Sequence, residues 1–163
     1  MDKKIVLNDQ DLRYIRMACD LASNSIDQGG GPFGAVIVKD GEVISTGNNT
    51  VTLDNDPTAH AEMNAIRCAC GRLHNFKLDG CVVYSSCEPC PMCLSALYWA
   101  GVKRIYYANT KVDAQEIGFD DNFIYEEIDT PSLERSIPCV HIEDEHAIDH
   151  FRKWTEKTDK IEY

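Results

Sequence analysis

The sequence predicts a three-layer α/β domain, with an antiparallel hairpin and strands joined through crossover helices in one mixed sheet. Three observations carry this: helical periodicity near both ends, an Asp-Gly turn between two β-branched runs, and alternating strand-like and helix-like segments between them. The 163 residues are the size of one domain. Such a chain buries roughly 70 % of its unfolded surface, enough for a real core. Residues 1–163 are therefore read as a single domain, with 143–163 a C-terminal helix and tail.

Leu12, Ile15, Cys19, Ala22 and Ile26 recur at helical spacing, so a helix is expected from about residue 9 to residue 28, ending at Gly29-Gly30-Gly31. Ala35-Val36-Ile37-Val38 and Glu42-Val43-Ile44-Ser45 flank Lys39-Asp40-Gly41, a hairpin signal. Asp54-Asn55-Asp56-Pro57-Thr58 should open a second helix, with Pro57 in its first turn and Asp56 or Thr58 as cap. On that helix Ala61, Ala65 and Ala69 form a small-residue stripe that can lie close against a sheet. Cys81-Val82-Val83-Tyr84 reads as a buried strand. Pro91 starts a helix through Leu94, Leu97 and Tyr98 that stops at Gly101, and Arg104-Ile105-Tyr106-Tyr107 is another strand. Residues 109–136 hold a short helix from Val112 to Ile117, closed by Gly118, within irregular acidic sequence of the length that usually serves function. Cys139-Val140-His141-Ile142 is a last strand candidate, and Ala147, Ile148, Phe151 and Trp154 mark a C-terminal helix.

Sixteen Lys and Arg against 27 Asp and Glu leave a net charge of −11, which argues against a nucleic-acid partner. No apolar run approaches the ~20 residues needed to cross a bilayer, so no membrane role is expected. The N-terminal Met1–Asn8 meets acidic sequence before any leader-like apolar stretch, which points to the cytoplasm. Of the eight cysteines, three crowd into Cys87-Glu88-Pro89-Cys90-Pro91-Met92-Cys93. In a reducing compartment such a group is metal-binding or catalytic rather than a disulfide framework.

Gly29, Gly31 and Gly34 match G-x-G-x-x-G, but a helix precedes them and a strand follows, the reverse of a dinucleotide site. They read as a turn that lets backbone pass close to a neighbour. The informative pair is Thr58-Ala59-His60-Ala61-Glu62 with Pro89-Cys90-Pro91-Met92-Cys93. One imidazole and two thiolates suit Zn²⁺ and leave a fourth tetrahedral position open. Both sets belong to helix starts, whose positive ends favour thiolate. Zinc lowers the pKa of a bound water from 15.7 to about 7. Glu62 can stand beside that water as proton shuttle. A closed structural zinc site and a thiol redox pair at Cys90 and Cys93 are the competing readings. Cys87 could be a fourth ligand or hint at an iron–sulfur cluster, but a strand-end packing residue explains it better. His146 and His150 stand four apart among acids and read as solvated, while His74 and His141 stand alone.

His-x-Glu followed by Pro-Cys-x-x-Cys is the signature of zinc nucleobase deaminases. Together with Gly30–Val38, Asn55–Glu62, Ser86–Cys93 and Gly118–Asp121, it makes the chain from about Ala18 to Tyr163 resemble the cytidine deaminase-like superfamily, and more closely its bacterial guanine deaminases. The resemblance implies an α/β/α sandwich of cytidine deaminase type, with one Zn²⁺ per chain on His60, Cys90 and Cys93. It implies conversion of guanine to xanthine and ammonia by attack of metal-activated water at C2. Glu62 would take the water proton, protonate N3 and later protonate the departing amine. Phe33 would stack on the purine and Asn49 would bond its edge, with Ala61 also touching substrate, Trp99 walling the pocket and Asp121 meeting ring N–H groups. It further implies a homodimer exchanging C-terminal segments, so that Tyr163 enters the partner's site. Cytosine, guanosine and tRNA adenosine remain alternative substrates; a tail of mixed sign on an acidic chain speaks against tRNA.

Overall fold

The structure, a computed structural model, describes residues 6–163; the Met1–Ile5 stretch, part of the segment read for a leader, lies outside the described residues. The chain divides into two compact units, one running to Asp121 and the other spanning Asn122–Tyr163.

In the first unit α1 (Asp9–Asp27) begins at a capping box, in which the Asn8 side chain accepts from the Asp11 N–H and the Asp11 carboxylate accepts from the Asn8 N–H. Its buried face is Asp11, Tyr14, Ala18, Ala22 and Ser25, offset from the stripe expected in sequence, and Leu12 and Ile26 are exposed. The reason is close approach. A Cβ on Gly34 would lie 2.3 Å from the Ala18 carbonyl oxygen, so only small residues fit at the contact.

Strands β1 (Gly31–Lys39) and β2 (Glu42–Asn49) form the expected hairpin, turning through Asp40 and Gly41, both at positive φ. β3 (Val82–Cys87) pairs antiparallel with β1, and β4 (Arg104–Asn109) lies parallel to β3, giving the order β2-β1-β3-β4. The parallel step is made through α4 (Pro91–Ala100), which ends at Gly101 in the left-handed region. Between β2 and β3 the chain forms a short α2 (Val51–Asp54) and then α3 (Ala61–Leu73).

Two apolar clusters lie on opposite faces of the sheet. Tyr14, Ala18, Val36, Val38 and Tyr84 pack under α1; Ala35, Ile37, Val83 and Leu97 pack with Ala61, Ala65 and Ala69 on the side of α3 and α4. The three-layer expectation holds, and the alanine stripe lies where its size predicts.

Two expectations need correction, and one short helix was not foreseen. The helix expected to open at Asp54–Thr58 starts at Ala61. Instead, Asn55 takes a left-handed conformation that closes α2, and the Asp56 carboxylate accepts from the Thr58 N–H at 2.8 Å and hydroxyl at 2.7 Å. That side-chain turn outcompetes a helical start at Pro57. Val51–Asp54, with no sequence signal of its own, is helical. Cys139–Ile142 forms no strand, and Val140 and Ile142 stand exposed. Its alternating pattern finds no pairing partner, and an unpaired strand has no ladder to satisfy its backbone.

After β4 come α5 (Lys111–Glu116), capped by Thr110, and the Gly118–Asp121 segment. The second unit, described by itself, contains α6 (Asn122–Asp129), a 3₁₀ turn at Glu145–Ile148 and α7 (Asp149–Glu156). None of its residues is buried.

Candidate metal centre and active site

Register brings the site together. Gly31 at the start of β1 pairs with Asn49 at the end of β2, and Ala35 pairs with Ser85 near the end of β3. The beginning of β1, the end of β2 and the carboxyl end of β3 therefore share one edge of the sheet, from which the chain runs into His60 and Cys90. This is where open α/β sheets place their ligands.

His60 is the N-cap of α3 and Cys90 the N-cap of α4, and neither makes the side-chain capping bond usual at that position. His60 Nδ1 lies 3.5 Å from the Cys90 sulfur and 3.5 Å from the Cys93 sulfur, and all three ligand atoms fall within 4.8 Å of one another. A tetrahedral ion with Zn–S of about 2.3 Å and Zn–N of about 2.0–2.1 Å spaces its nitrogen and sulfur ligands by about 3.5 Å. The donor set and its spacing fit zinc. Among the described residues this is the one such group, and Cys87 stays outside it: its buried thiol donates to the Thr110 carbonyl at 3.6 Å. Burial, followed by the Glu62 charge, pushes that thiol up to about 11.

The two candidate ligand sulfurs shift in opposite directions. The hydrogen bond from Cys93, followed by one from His60, draws Cys90 down to about 4, while the same bond and burial hold the Cys93 proton in place. The bond to Cys90 in turn raises His60. A cation held by these residues would displace the remaining thiol proton.

Glu62, in the first turn of α3, is 6 % exposed. Burial raises its carboxyl, opposed by hydrogen bonds that include those from Ser85 and Cys93. The Ser85 hydroxyl donates to Glu62 Oε1 at 2.9 Å. The start of α3 is pressed onto β2 at Gly47, where a Cβ would lie 2.2 Å from the Ala61 carbonyl.

The other residues singled out in sequence fall in four places. Phe33, Asn49 and Ala61 stand at the same edge: Asn49 and Ala61 are buried, and Asn49 Oδ1 accepts from the Val51 N–H at 3.2 Å. Asp121 is half-buried, its carboxyl raised by burial and then by the charge of Cys90. Trp99 lies at the far end of α4, 65 % exposed, and Tyr163 is 77 % exposed in the second unit. Nine residues of helix separate Trp99 from Cys90, a rise of about 13 Å. The reading of Gly29, Gly31 and Gly34 as a close approach holds at Gly31, where a Cβ would lie 2.9 Å from the Asn49 side chain.

Sequence reasoning missed several supports. Phe119 meets Phe33 edge to face, with centroids 4.9 Å apart. Asn64 donates to the Asn48 carbonyl and the Thr50 hydroxyl, both at 2.9 Å, tying the end of β2 to α3. Glu88 accepts from the Lys111 N–H at 3.1 Å and anchors the start of α5 beside the cysteine loop. Ser85 was legible in principle, as a polar residue at a core-facing strand position.

With this geometry, the chain belongs to the cytidine and deoxycytidylate deaminase family, whose zinc-binding region matches residues 8–109. It is 52 % identical over 151 residues to the guanine deaminase of Bacillus subtilis (strain 168), covering 92 % of this chain and 97 % of that protein. The X-ray structure of guanine deaminase from Bacillus subtilis superimposes with a TM-score of 0.92 at 50 % identity, over 96 % of this chain and 99 % of that one. The tRNA-specific adenosine deaminase of Aquifex aeolicus (strain VF5) is 42 % identical over 95 residues, covering 58 % of this chain and 63 % of that protein. An alignment of 151 residues must run into the unit beyond Asp121, whereas 95 residues need not.

Proposed function

We propose that this chain is a zinc-dependent guanine deaminase, converting guanine and water to xanthine and ammonia. The observation that carries the reading is the pairing of an open three-ligand cluster with a buried carboxylate beside it. The extent of likeness to the Bacillus enzyme, reaching past the metal region, supports guanine over the tRNA substrate.

His60, Cys90 and Cys93 hold one zinc per chain. Zinc there supplies Lewis acidity and lowers the pKa of a water molecule to about 7. Glu62 accepts a proton from the attacking water and delivers it to N3. It then carries the second proton from the new C2 hydroxyl to the leaving amine, so the C2–N bond breaks as ammonia forms. Phe33 offers its face to the purine, held edge-on by Phe119, and Asn49 bonds the purine edge beside Ala61. The half-buried Asp121 accepts from ring N–H groups.

The active form is a homodimer that exchanges C-terminal segments, bringing Tyr163 into the partner's site, with Trp99 as a wall of the pocket. A second unit without one buried residue supports this, since such a segment cannot meet its ordering entropy alone. Its exposed Phe151, Trp154, Ile161 and Tyr163 suit burial against a second copy. The protein works in the cytoplasm, where its eight free cysteines stay reduced. Its charge of −11 suits a small uncharged base rather than nucleic acid.

The test is ammonia release from guanine, guanosine, adenine, cytosine, cytidine and adenosine. Guanine should be the best substrate, with zinc near one per chain and both zinc and activity lost on chelation. Turnover of another base with none of guanine overturns the substrate; activity that survives chelation overturns the metal.

A further inference from the structure

Ser85 lies on β3, and strand alternation sends its side chain to the face that carries α3, where Val83 joins Ala61, Ala65 and Leu97 in the apolar cluster. A hydroxyl sealed there, 1 % exposed, needs a buried acceptor, and it bonds Glu62 at 2.9 Å. The neighbouring Ser86 serves the sheet instead, since its oxygen accepts from the Gly34 N–H at 3.0 Å and ties β3 to β1. Glu62 thus has one carboxylate oxygen fixed from the sheet.

We infer that Ser85 is the positioning residue of the proton shuttle: its hydroxyl anchors Glu62 Oε1 so that Oε2 alone exchanges protons with the reacting groups. This rests on Glu62 being the shuttle of the function proposed above. An unanchored carboxylate at the start of α3 would sample further rotamers, and only those aimed at the cluster could transfer a proton. The effect falls on the chemical step and not on purine binding, because Ser85 is walled off behind Glu62.

The experiment compares Ser85→Ala, Ser85→Thr and Ser45→Ala with the parent enzyme. Ser45 is the control: it is equally buried on the same side of the sheet, and its hydroxyl donates to the Ala65 carbonyl at 2.8 Å. Ser85→Ala should lower kcat roughly 10- to 100-fold, the worth of a hydrogen bond to a charged group, with KM within about twofold. Its zinc content should match the parent, and Ser85→Thr should restore most of the kcat. Ser45→Ala should leave kcat unchanged even if its melting temperature falls as much. A kcat for Ser85→Ala within twofold of the parent overturns the inference, as does a loss of kcat matched by loss of zinc. Parent turnover of the base panel is read first. If a base other than guanine is consumed, the substrate assignment fails while the ratio of variant to parent on that base still judges Ser85.

Discussion

The unit that ends at Asp121 has an apolar core: Ile37, Leu78, Val83 and Leu97 are wholly out of water, and the candidate ligand cluster sits at the end of that packing. Beyond Asn122 no residue is buried, and Ile137, Ile142, Phe151 and Tyr163 are all exposed. Both units hold a helical segment begun by a side-chain cap, Thr110 before α5 in one and Asp144 before the 3₁₀ turn in the other, yet only one has a core of its own. Helical structure and stability are therefore separate matters here. Chemistry needs groups held within tenths of an ångström, which close packing supplies; the exposed unit offers surface for something to bind.

Four changes to the chain break or sharpen that contrast. The largest effect should come from Glu62→Gln, which keeps shape and zinc but removes the proton acceptor; ammonia release should fall about 10²- to 10⁴-fold. Near-normal rates with full zinc would place the chemistry elsewhere. Next, Leu97→Ala empties part of the core between α4 and the sheet and should cost about 2–5 kcal/mol in urea unfolding. Deleting Tyr163 should lower kcat/KM for guanine about 3- to 10-fold, the worth of one aromatic contact, with zinc unchanged; an unaltered value returns Tyr163 to an idle last residue. Phe151→Ala should change least. At a concentration where the parent is monomeric it should shift stability by no more than about 0.5 kcal/mol, while sedimentation shows weaker self-association. A loss comparable to Leu97→Ala would mean that the second unit has a core after all.

Much of this was legible in the residues. The Asp40-Gly41 turn, the alanine stripe and the Pro91–Gly101 helix depend on local rules that tertiary structure did not disturb. His60, Cys90 and Cys93 were legible as a candidate cluster because a metal demands particular atoms at particular helix positions, and the fold brings the three together. What failed depended on partners distant in sequence or on competing local bonds. The buried face of α1 was set by Gly34 on another element, and the start of α3 by a side-chain turn at Asp56 that competes with a Pro-led helix. Cys139–Ile142 has the alternation of a strand but no neighbour to pair with, which no local pattern reveals. Ser85 and Phe119 gain their meaning only from Glu62 and Phe33 across the fold.

Both candidate ligands at helix starts, His60 and Cys90, occupy the position where a helix ordinarily spends a serine or aspartate on itself. Each helix forgoes a closure of about 1 kcal/mol so that its cap can face outward. Metal supply then sets more than catalytic competence. A metal ion held by His60, Cys90 and Cys93 would fasten the opening turns of α3 and α4 to each other, so scarcity of zinc would register first as fraying of the segment that carries Glu62.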